Sequence, residues 1–163
     1  MNLAHLHLLL NHFPIIGTML GTVLLLYALI KKEGNLQRAV LVIWVLMAAL
    51  TPIVMNTGEE AEEKVEVIAG IQEDAIKEHE EAAEYASWLM IGLGVLSLAS
   101  LVLYKMGSSI TKATWICFFL SLLVNFAMVR TGYLGGLIRH TENGAVISDK
   151  EIQTQPTTDE GDQ

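Results

Sequence analysis

The chain has 163 residues, of which 52% are hydrophobic, with a mean hydropathy of +0.45 and a formal net charge of −8. Such a composition, with its apolar residues in long runs, is not that of a water-soluble domain, and the acidic balance excludes a nucleic-acid-binding protein. The single cysteine, Cys117, excludes a disulfide framework and a Cys-x-x-Cys-His haem attachment motif.

Four segments are long and apolar enough, at about 20 residues, to span a bilayer or nearly so. They cover residues 13–30, 39–55, 85–104 and 113–138, and the charged residues fall almost wholly between them. The pattern predicts an all-α fold, a four-helix transmembrane bundle formed by residues 1–140 as one domain. We expect the first span to be retained, because no lysine or arginine precedes it as in a signal peptide.

The first span opens with LHLLLNHFPIIG at residues 6–17, which places two histidines and a proline before apolar residues. On a continuous helix His7 and His12 would point about 140° apart, so they would not bind one metal ion together. His5 and His12 are seven residues apart and share a face, so His5 is an alternative to His7. Pro14 is expected to break the helix at this point.

The loops predict the orientation of the bundle. Lys31, Lys32 and Arg38 lie in the first loop, and Lys105 and Lys112 lie in the third. Short loops rich in lysine and arginine stay cytoplasmic. We therefore predict a multi-pass protein of the bacterial inner membrane, in contact with membrane lipid, with both termini on the outer side.

Residues 59–84 are too charged to enter lipid, yet their less polar members, including Ile76 and His79, fall on one helix face. We predict an outer amphipathic helix that extends the third span, with this stripe covering the top of the bundle. Residues 141–163 are polar, and we expect them to form a disordered tail.

Similar sequences close the second and fourth spans, MNTGEEAEE at 55–63 and VRTGYLGGL at 129–137. In each, Thr-Gly is followed three residues later by a small residue, Ala61 or Gly135. This similarity predicts two helix pairs related by an axis along the membrane normal. Asn125 is the strongest polar candidate near the middle of a span, and we expect it to form an interhelical hydrogen bond.

All five histidines fall on the outer side in this topology. Histidine is costly within a bilayer and marks a site when it faces the interior of a bundle. Each also has a structural explanation: His5 and His7 as interfacial residues, His79 as a satisfied helix-face residue, and His140 as a favourable charge at a helix C-terminus. Their joint placement favours a cofactor or metal site.

A b-type haem needs axial imidazoles from different helices and small residues beside the macrocycle. His7 and His12 would each pair with His79 or His140, giving one or two haems, and arginines would bind the propionates. The glycines have an alternative role in close helix packing. The candidate cofactor-binding residues are His7, His12, His79, His140, Arg130, Arg139, Gly132 and Gly136.

The order of these motifs resembles a family of bacterial four-span membrane proteins, domain of unknown function 2231. The carriers are His7, His12, Phe13 and Pro14 at the first span, and Gly135, Gly136 and His140 after the fourth, so the resemblance covers residues 5–142. Leu8 stands where the family has a proline, and Thr141 follows His140 where the family tends to have glycine. The resemblance implies the four-span fold and the four histidines, with haem binding as an expectation.

We expect an electron-transfer protein, a membrane b-type cytochrome whose acidic outer face suits a basic c-type cytochrome or a respiratory complex. Two alternatives stay open: a redox-silent accessory or structural subunit of a larger membrane complex, and a copper- or zinc-binding membrane protein. An enzyme is the weakest interpretation, because no nucleophile turn, phosphate loop or buried carboxylate pair is present. Homo- and hetero-oligomers are both compatible with the sequence.

Overall fold

A computed structural model describes residues 3–65, 73–107 and 110–142. Within these ranges the chain is helical apart from short turns, and it contains no strand. The helices are α1 (Leu3–Leu10), α2 (His12–Lys31), α3 (Gly34–Val65), α4 (Glu73–Lys105) and α5 (Thr111–Glu142). The predicted all-α four-helix fold is confirmed, with α1 as a short helix that leads into α2. Most of the predicted tail, residues 143–163, lies outside the described residues, while residues 141 and 142 complete α5.

Four stretches of these helices are long and apolar enough to cross a membrane. They are Leu6–Lys31, Gly34–Glu59, Ile76–Lys105 and Thr111–Leu137. The first three contain the corresponding predicted spans completely, and the fourth ends one residue before its predicted span does. Large apolar side chains such as Leu20, Val95 and Phe126 are exposed on the bundle surface. Helices that are apolar on all sides are typical of membrane spans, because the outward face meets lipid.

Pro14 explains why α1 and α2 are separate elements. Proline lacks a backbone N–H, and its ring clashes with the carbonyl group four residues earlier, here that of Leu10. Helix α1 ends at Leu10, and α2 begins at His12 after the single turn residue Asn11. Asn11 keeps helical backbone angles, with φ of −63° and ψ of −25°, and its N–H donates to the His7 carbonyl oxygen at 2.9 Å. The predicted break is therefore an interruption of the hydrogen-bond ladder in a segment that stays close to helical.

Helices α2, α3, α4 and α5 pack side by side in chain order, and α5 closes the ring against α2. Short connections make each helix antiparallel to the next. One end of the bundle contains residues 3–12, 54–65, 73–80 and 128–142, and we call it the histidine end. The opposite end contains the connections that follow α2 and α4, and we call it the basic-loop end.

Glycines allow α3 to approach both of its neighbours in the middle of the bundle. Trp44 of α3 is the largest fully buried side chain. Its indole nitrogen lies where a Cβ atom at Gly21 of α2 would be, and Ala48 lies where a Cβ atom at Gly94 of α4 would be. Small residues at helix crossings in membranes permit this backbone approach, which van der Waals contacts then stabilise.

Buried polar side chains join α2 to α5 at the same depth. Asn125 Nδ2 donates to Thr22 Oγ1 at 2.8 Å, and the Thr22 hydroxyl lies 2.9 Å from Ser121 Oγ. The predicted interhelical hydrogen bond of Asn125 is confirmed. In an apolar environment such bonds stabilise the bundle because an unpaired polar group there is costly.

The predicted outer helix is divided between two helices. Residues 59–65 continue α3 and residues 73–84 form the first turns of α4, while residues 66–72 lie outside the described residues. The prediction is therefore corrected at residues 59–65, where glutamate, alanine and lysine, all strong helix formers, prolong the helix they follow. The helical extension of the third span is observed in α4, whose Ile76, Ala82 and Ala86 are buried.

The contact at Gly94 predicts a steep dependence of stability on side-chain size. We expect Gly94→Leu to force α3 and α4 apart and to cost about 1–3 kcal/mol, typical of an overpacked core. The matched control is Gly92→Leu, two residues away on the exposed face, where a Cβ atom meets nothing within 4 Å. Thermal unfolding in detergent should give a lower Tm for Gly94→Leu alone, and equal Tm values for the two variants would contradict the packing.

Candidate functional site

All five histidines occupy the histidine end of the bundle. His7 lies in α1, His12 is the first residue of α2, His79 lies in the first turns of α4, and His140 lies near the end of α5. His5 also belongs to α1. The side chains of His5, Arg139 and His140 lie outside the described residues, so the geometry of the site is that of His7, His12 and His79.

The imidazole of His7 is bound to the backbone of α3. Its Nδ1 atom is 3.0 Å from the carbonyl oxygen of Val54 and 3.4 Å from Thr57 Oγ1. The ring lies against Gly58, where an added Cβ atom would be 3.0 Å from His7 Cε1. His7 is half-buried, with its ring edge packed on the helix that follows α2.

The imidazole of His79 is bound to the backbone of α5 in the same way. Its Nδ1 atom is 3.0 Å from the carbonyl oxygen of Thr131. The ring lies against Gly135, where an added Cβ atom would be 2.9 Å from His79 Cε1. His79 is also half-buried, and the two imidazoles are near enough to interact electrostatically.

One steric rule explains both contacts. In an α-helix, the side chain of residue i+4 lies over the turn that contains the carbonyl group of residue i. Gly58 follows Val54 by four residues, and Gly135 follows Thr131 by four residues. Because glycine has no Cβ atom, the carbonyl oxygen four residues earlier is open to an imidazole from the neighbouring helix.

The hydrogen bonds also fix the tautomer of each ring. A carbonyl oxygen only accepts, so the Nδ1 atoms of His7 and His79 carry the proton and donate it. The Nε2 atom of each neutral ring then has a free lone pair. This is the arrangement found at metal-binding histidines, whose second nitrogen donates to a carbonyl or carboxylate group that orients the ring.

The two histidine contacts are alike, but their register differs from that of the predicted Thr-Gly repeat, and the symmetry axis stays a prediction. By their contact with a histidine, the equivalent residues are Gly58 and Gly135, whereas the sequence match had paired Gly58 with Gly132. Gly132 is exposed, and a Cβ atom there meets nothing within 4 Å. The two glycines of α5 are about one turn apart, which is why the sequence alone did not distinguish them.

His12 is not joined to the other two histidines. Its side chain is exposed, and its Nδ1 atom lies 2.6 Å from the carbonyl oxygen of Leu8, the residue one turn earlier in the same segment. The structure therefore half-buries His7 and His79 at one end of the bundle, within electrostatic reach of each other, and leaves His12 exposed.

The other predicted site residues lie on α5. Arg130 is exposed, and Gly136 is half-buried with open space where a Cβ atom would be. Arg130 and Gly132 lie on the surface of the histidine end rather than against His7 or His79.

Within residues 3–65, 73–107 and 110–142, no group of three or more histidine, cysteine, aspartate or glutamate side chains is placed to hold a metal ion. Comparison with known proteins found no matching family model, no matching curated protein and no matching solved structure.

Sequence reasoning did not connect the two imidazoles with the five residues that position them. They are Val54, Thr57, Gly58, Thr131 and Gly135. Val54 and Thr131 act through their carbonyl groups, which every residue has, so no side-chain pattern identifies them. The two glycines did carry a signal, because each lies in one of the repeated span ends.

The geometry predicts an order of chemical reactivity among the histidines. Diethyl pyrocarbonate should modify exposed His12 faster than half-buried His7 and His79, as measured by mass spectrometry at neutral pH. Gly135→Leu should displace His79 and raise its modification rate, whereas Gly132→Leu, on the exposed face of the same helix, should not. Equal rates for His79 in these two variants would contradict the proposed role of Gly135.

Proposed function

We propose that the chain is a b-type cytochrome-like membrane protein that binds haem through His7 and His79 at the histidine end. The observation that supports this function is the paired geometry of the two rings. They come from different helices, each is oriented by a hydrogen bond from Nδ1 to a carbonyl group, and each has a free Nε2 atom. Two such imidazoles are the protein ligands of a bis-histidine haem iron.

The two described ring nitrogens match the number of protein ligands that a haem iron takes. Structural and catalytic zinc sites usually take three or four protein ligands. Among the described residues, His7 and His79 are not joined by a third histidine, cysteine or carboxylate. A porphyrin supplies four nitrogen ligands to its iron, so that two imidazoles complete the coordination. A copper- or zinc-binding protein remains the second candidate, to be distinguished by metal content without haem absorbance.

The residues of this chain would contribute orientation and a partly dry environment. Bound haem would supply one-electron redox chemistry. The Val54 and Thr131 carbonyl groups hold the rings and increase the basicity of Nε2. Gly58 and Gly135 let the imidazoles lie close to the helices, and the half-burial of both rings limits access of water.

Groups on the α5 surface of the same end suit an amphiphilic cofactor. Gly132 and Gly136 present a helix surface without side chains, and Arg130 is exposed on the same helix to pair with a propionate. Arg139, His12 and His140 remain predicted participants, and a second haem would need the latter two. The resemblance to the four-span family of domain of unknown function 2231 agrees with this assignment as an expectation.

We propose that the histidine end faces outward from a bacterial inner membrane. The lysine and arginine residues of the two short loops favour a cytoplasmic basic-loop end. The exposed surface of α4 at the histidine end is acidic, with Glu78, Glu80, Glu81 and Glu84. A basic electron carrier such as a c-type cytochrome, or a respiratory complex with a basic face, is the partner that this charge would attract.

Haem content tests the assignment of the ligands. We expect the protein purified in mild detergent to show a b-type reduced-minus-oxidised spectrum, and His7→Ala and His79→Ala to lose haem. Each variant should bind haem more than about tenfold more weakly. Removing only the hydrogen-bond partner of a metal-binding histidine already lowers metal affinity by about that factor, and these variants remove the ligand itself. The matched control is His12→Ala, which should keep the haem held by His7 and His79, because His12 is exposed and bonded to the Leu8 carbonyl group of its own segment.

A featureless spectrum after growth with ample haem would contradict the cytochrome function and favour the redox-silent accessory subunit. Metal content measured on the same sample would then test copper or zinc binding.

Labelling with a membrane-impermeant maleimide tests the orientation. Cys117 is fully buried, so it gives little background. In intact cells with a permeable outer envelope, Glu59→Cys should be labelled, whereas Lys32→Cys should be labelled only after the inner membrane is opened. The reverse pattern would place the histidine end in the cytoplasm.

A further inference from the structure

The basic-loop end has an open groove between α3 and α4 with a volume of about 360 Å³. Its exposed lining is almost wholly apolar, and two cationic side chains and a phenol border it at the basic-loop end. The wall residues are Val42, Leu98, Leu101 and Val102, and the rim residues are Arg38, Tyr104 and Lys105. The volume lies within the range of ligand pockets, roughly 300–1,000 Å³.

The guanidinium group of Arg38 is held in place at this rim by neutral groups. Its Nη1 atom donates to the Tyr104 hydroxyl at 2.9 Å, and its Cζ atom lies 4.6 Å from the centre of the Tyr104 ring. Its other hydrogen bonds go to the Gly34 carbonyl oxygen and to Asn35 Oδ1. Within the described part of the chain, no carboxylate neutralises Arg38.

Lys105 adds a second positive charge next to Tyr104. Its side chain is exposed, and within the described residues it has no carboxylate partner. Two cations at the rim of an apolar groove are complementary to a molecule with an anionic head and an aliphatic tail. Basic pockets between transmembrane helices bind anionic lipid head groups in this way.

We propose that this groove binds an anionic phospholipid, with the phosphate group at Arg38 and Lys105 and an acyl chain along Val42, Leu98 and Val102. The groove runs from the charged end of α4 towards its apolar middle, which is the direction a lipid takes from the head-group layer into the bilayer. Arg38 suits the phosphate because its planar group forms two parallel hydrogen bonds and is already ordered by Tyr104. The site is independent of the histidine end and of haem binding.

Native mass spectrometry of the full chain tests this site. The protein is released from detergent after incubation with equal amounts of dioleoylphosphatidylglycerol and dioleoylphosphatidylcholine, which have the same acyl chains. We expect the protein to retain phosphatidylglycerol in preference to phosphatidylcholine. Arg38→Gln and Lys105→Gln should each lower the retention of phosphatidylglycerol about fivefold, because one basic residue near a membrane surface contributes about that factor to the binding of an anionic lipid. The control Lys112→Gln removes the same charge from the same end outside the groove, and it should retain the lipid.

A second pair of variants tests the apolar walls without altering charge. Leu98→Trp should fill the groove and lower lipid retention, whereas Leu122→Trp, at a similarly exposed position on α5, should not. Three results would overturn the proposal: equal retention of the two lipids, equal losses in Lys105→Gln and Lys112→Gln, or displacement of the lipid by excess inorganic phosphate, which would indicate a site for the free anion.

Discussion

A glycine four residues after a helix carbonyl group leaves that carbonyl open to an imidazole from a neighbouring helix. Gly58 and Gly135 meet this condition, since each lies four residues after the accepting residue. The two hydrogen bonds tie α1 to α3 and α4 to α5 at one end of the bundle. They also fix which nitrogen of each ring is protonated, so a steric feature of two glycines determines the chemistry that the two histidines can perform.

The middle of the bundle supplies the rigidity that this arrangement needs. Gly21 and Gly94 let α3 pack closely between α2 and α4 around Trp44, and the bond from Asn125 to Thr22 joins α5 to α2. With four helices locked at mid-depth, the positions of His7 and His79 at the end follow from the geometry of the helices. The basic-loop end has a different character, because the Arg38 guanidinium group there is held by the Tyr104 hydroxyl, the Asn35 amide and the Gly34 carbonyl group rather than by a carboxylate.

The sequence was sufficient to predict the fold because a bilayer requires each spanning helix to be long and apolar. Runs of about 20 apolar residues located the four spans, Pro14 located the break between α1 and α2, and Asn125 formed the expected interhelical bond. The placement of all histidines at one end also followed from counting spans. The assignment of residues 59–65 differed, because an acidic helix-forming segment continues the preceding helix as readily as it begins the next.

The choice of His7 and His79 as the half-buried histidines, and of their hydrogen-bond partners, was harder to predict from the sequence. His7 contacts the Val54 carbonyl group because α1 packs against α3, whereas His12 lies on an exposed face, and neither fact follows from the spacing of the two histidines. The partners of the two rings are backbone carbonyl groups, which no residue type reveals. His79 lies against Gly135 and not against Gly132, which is about one helical turn earlier in α5. Which of the two glycines it meets depends on how far α4 and α5 are shifted along their axes.

His7 and His79 are each expected to donate through Nδ1 and to present a free Nε2 atom. Nitrogen-15 NMR of the metal-free protein with labelled histidine tests this directly, because protonated and unprotonated ring nitrogens have well-separated shifts. We expect the Nδ1–H tautomer for both residues at a pH where the rings are neutral, with assignment from His7→Ala and His79→Ala. Observation of the Nε2–H tautomer in either ring would contradict this arrangement, because the proton would then occupy the atom proposed to bind iron.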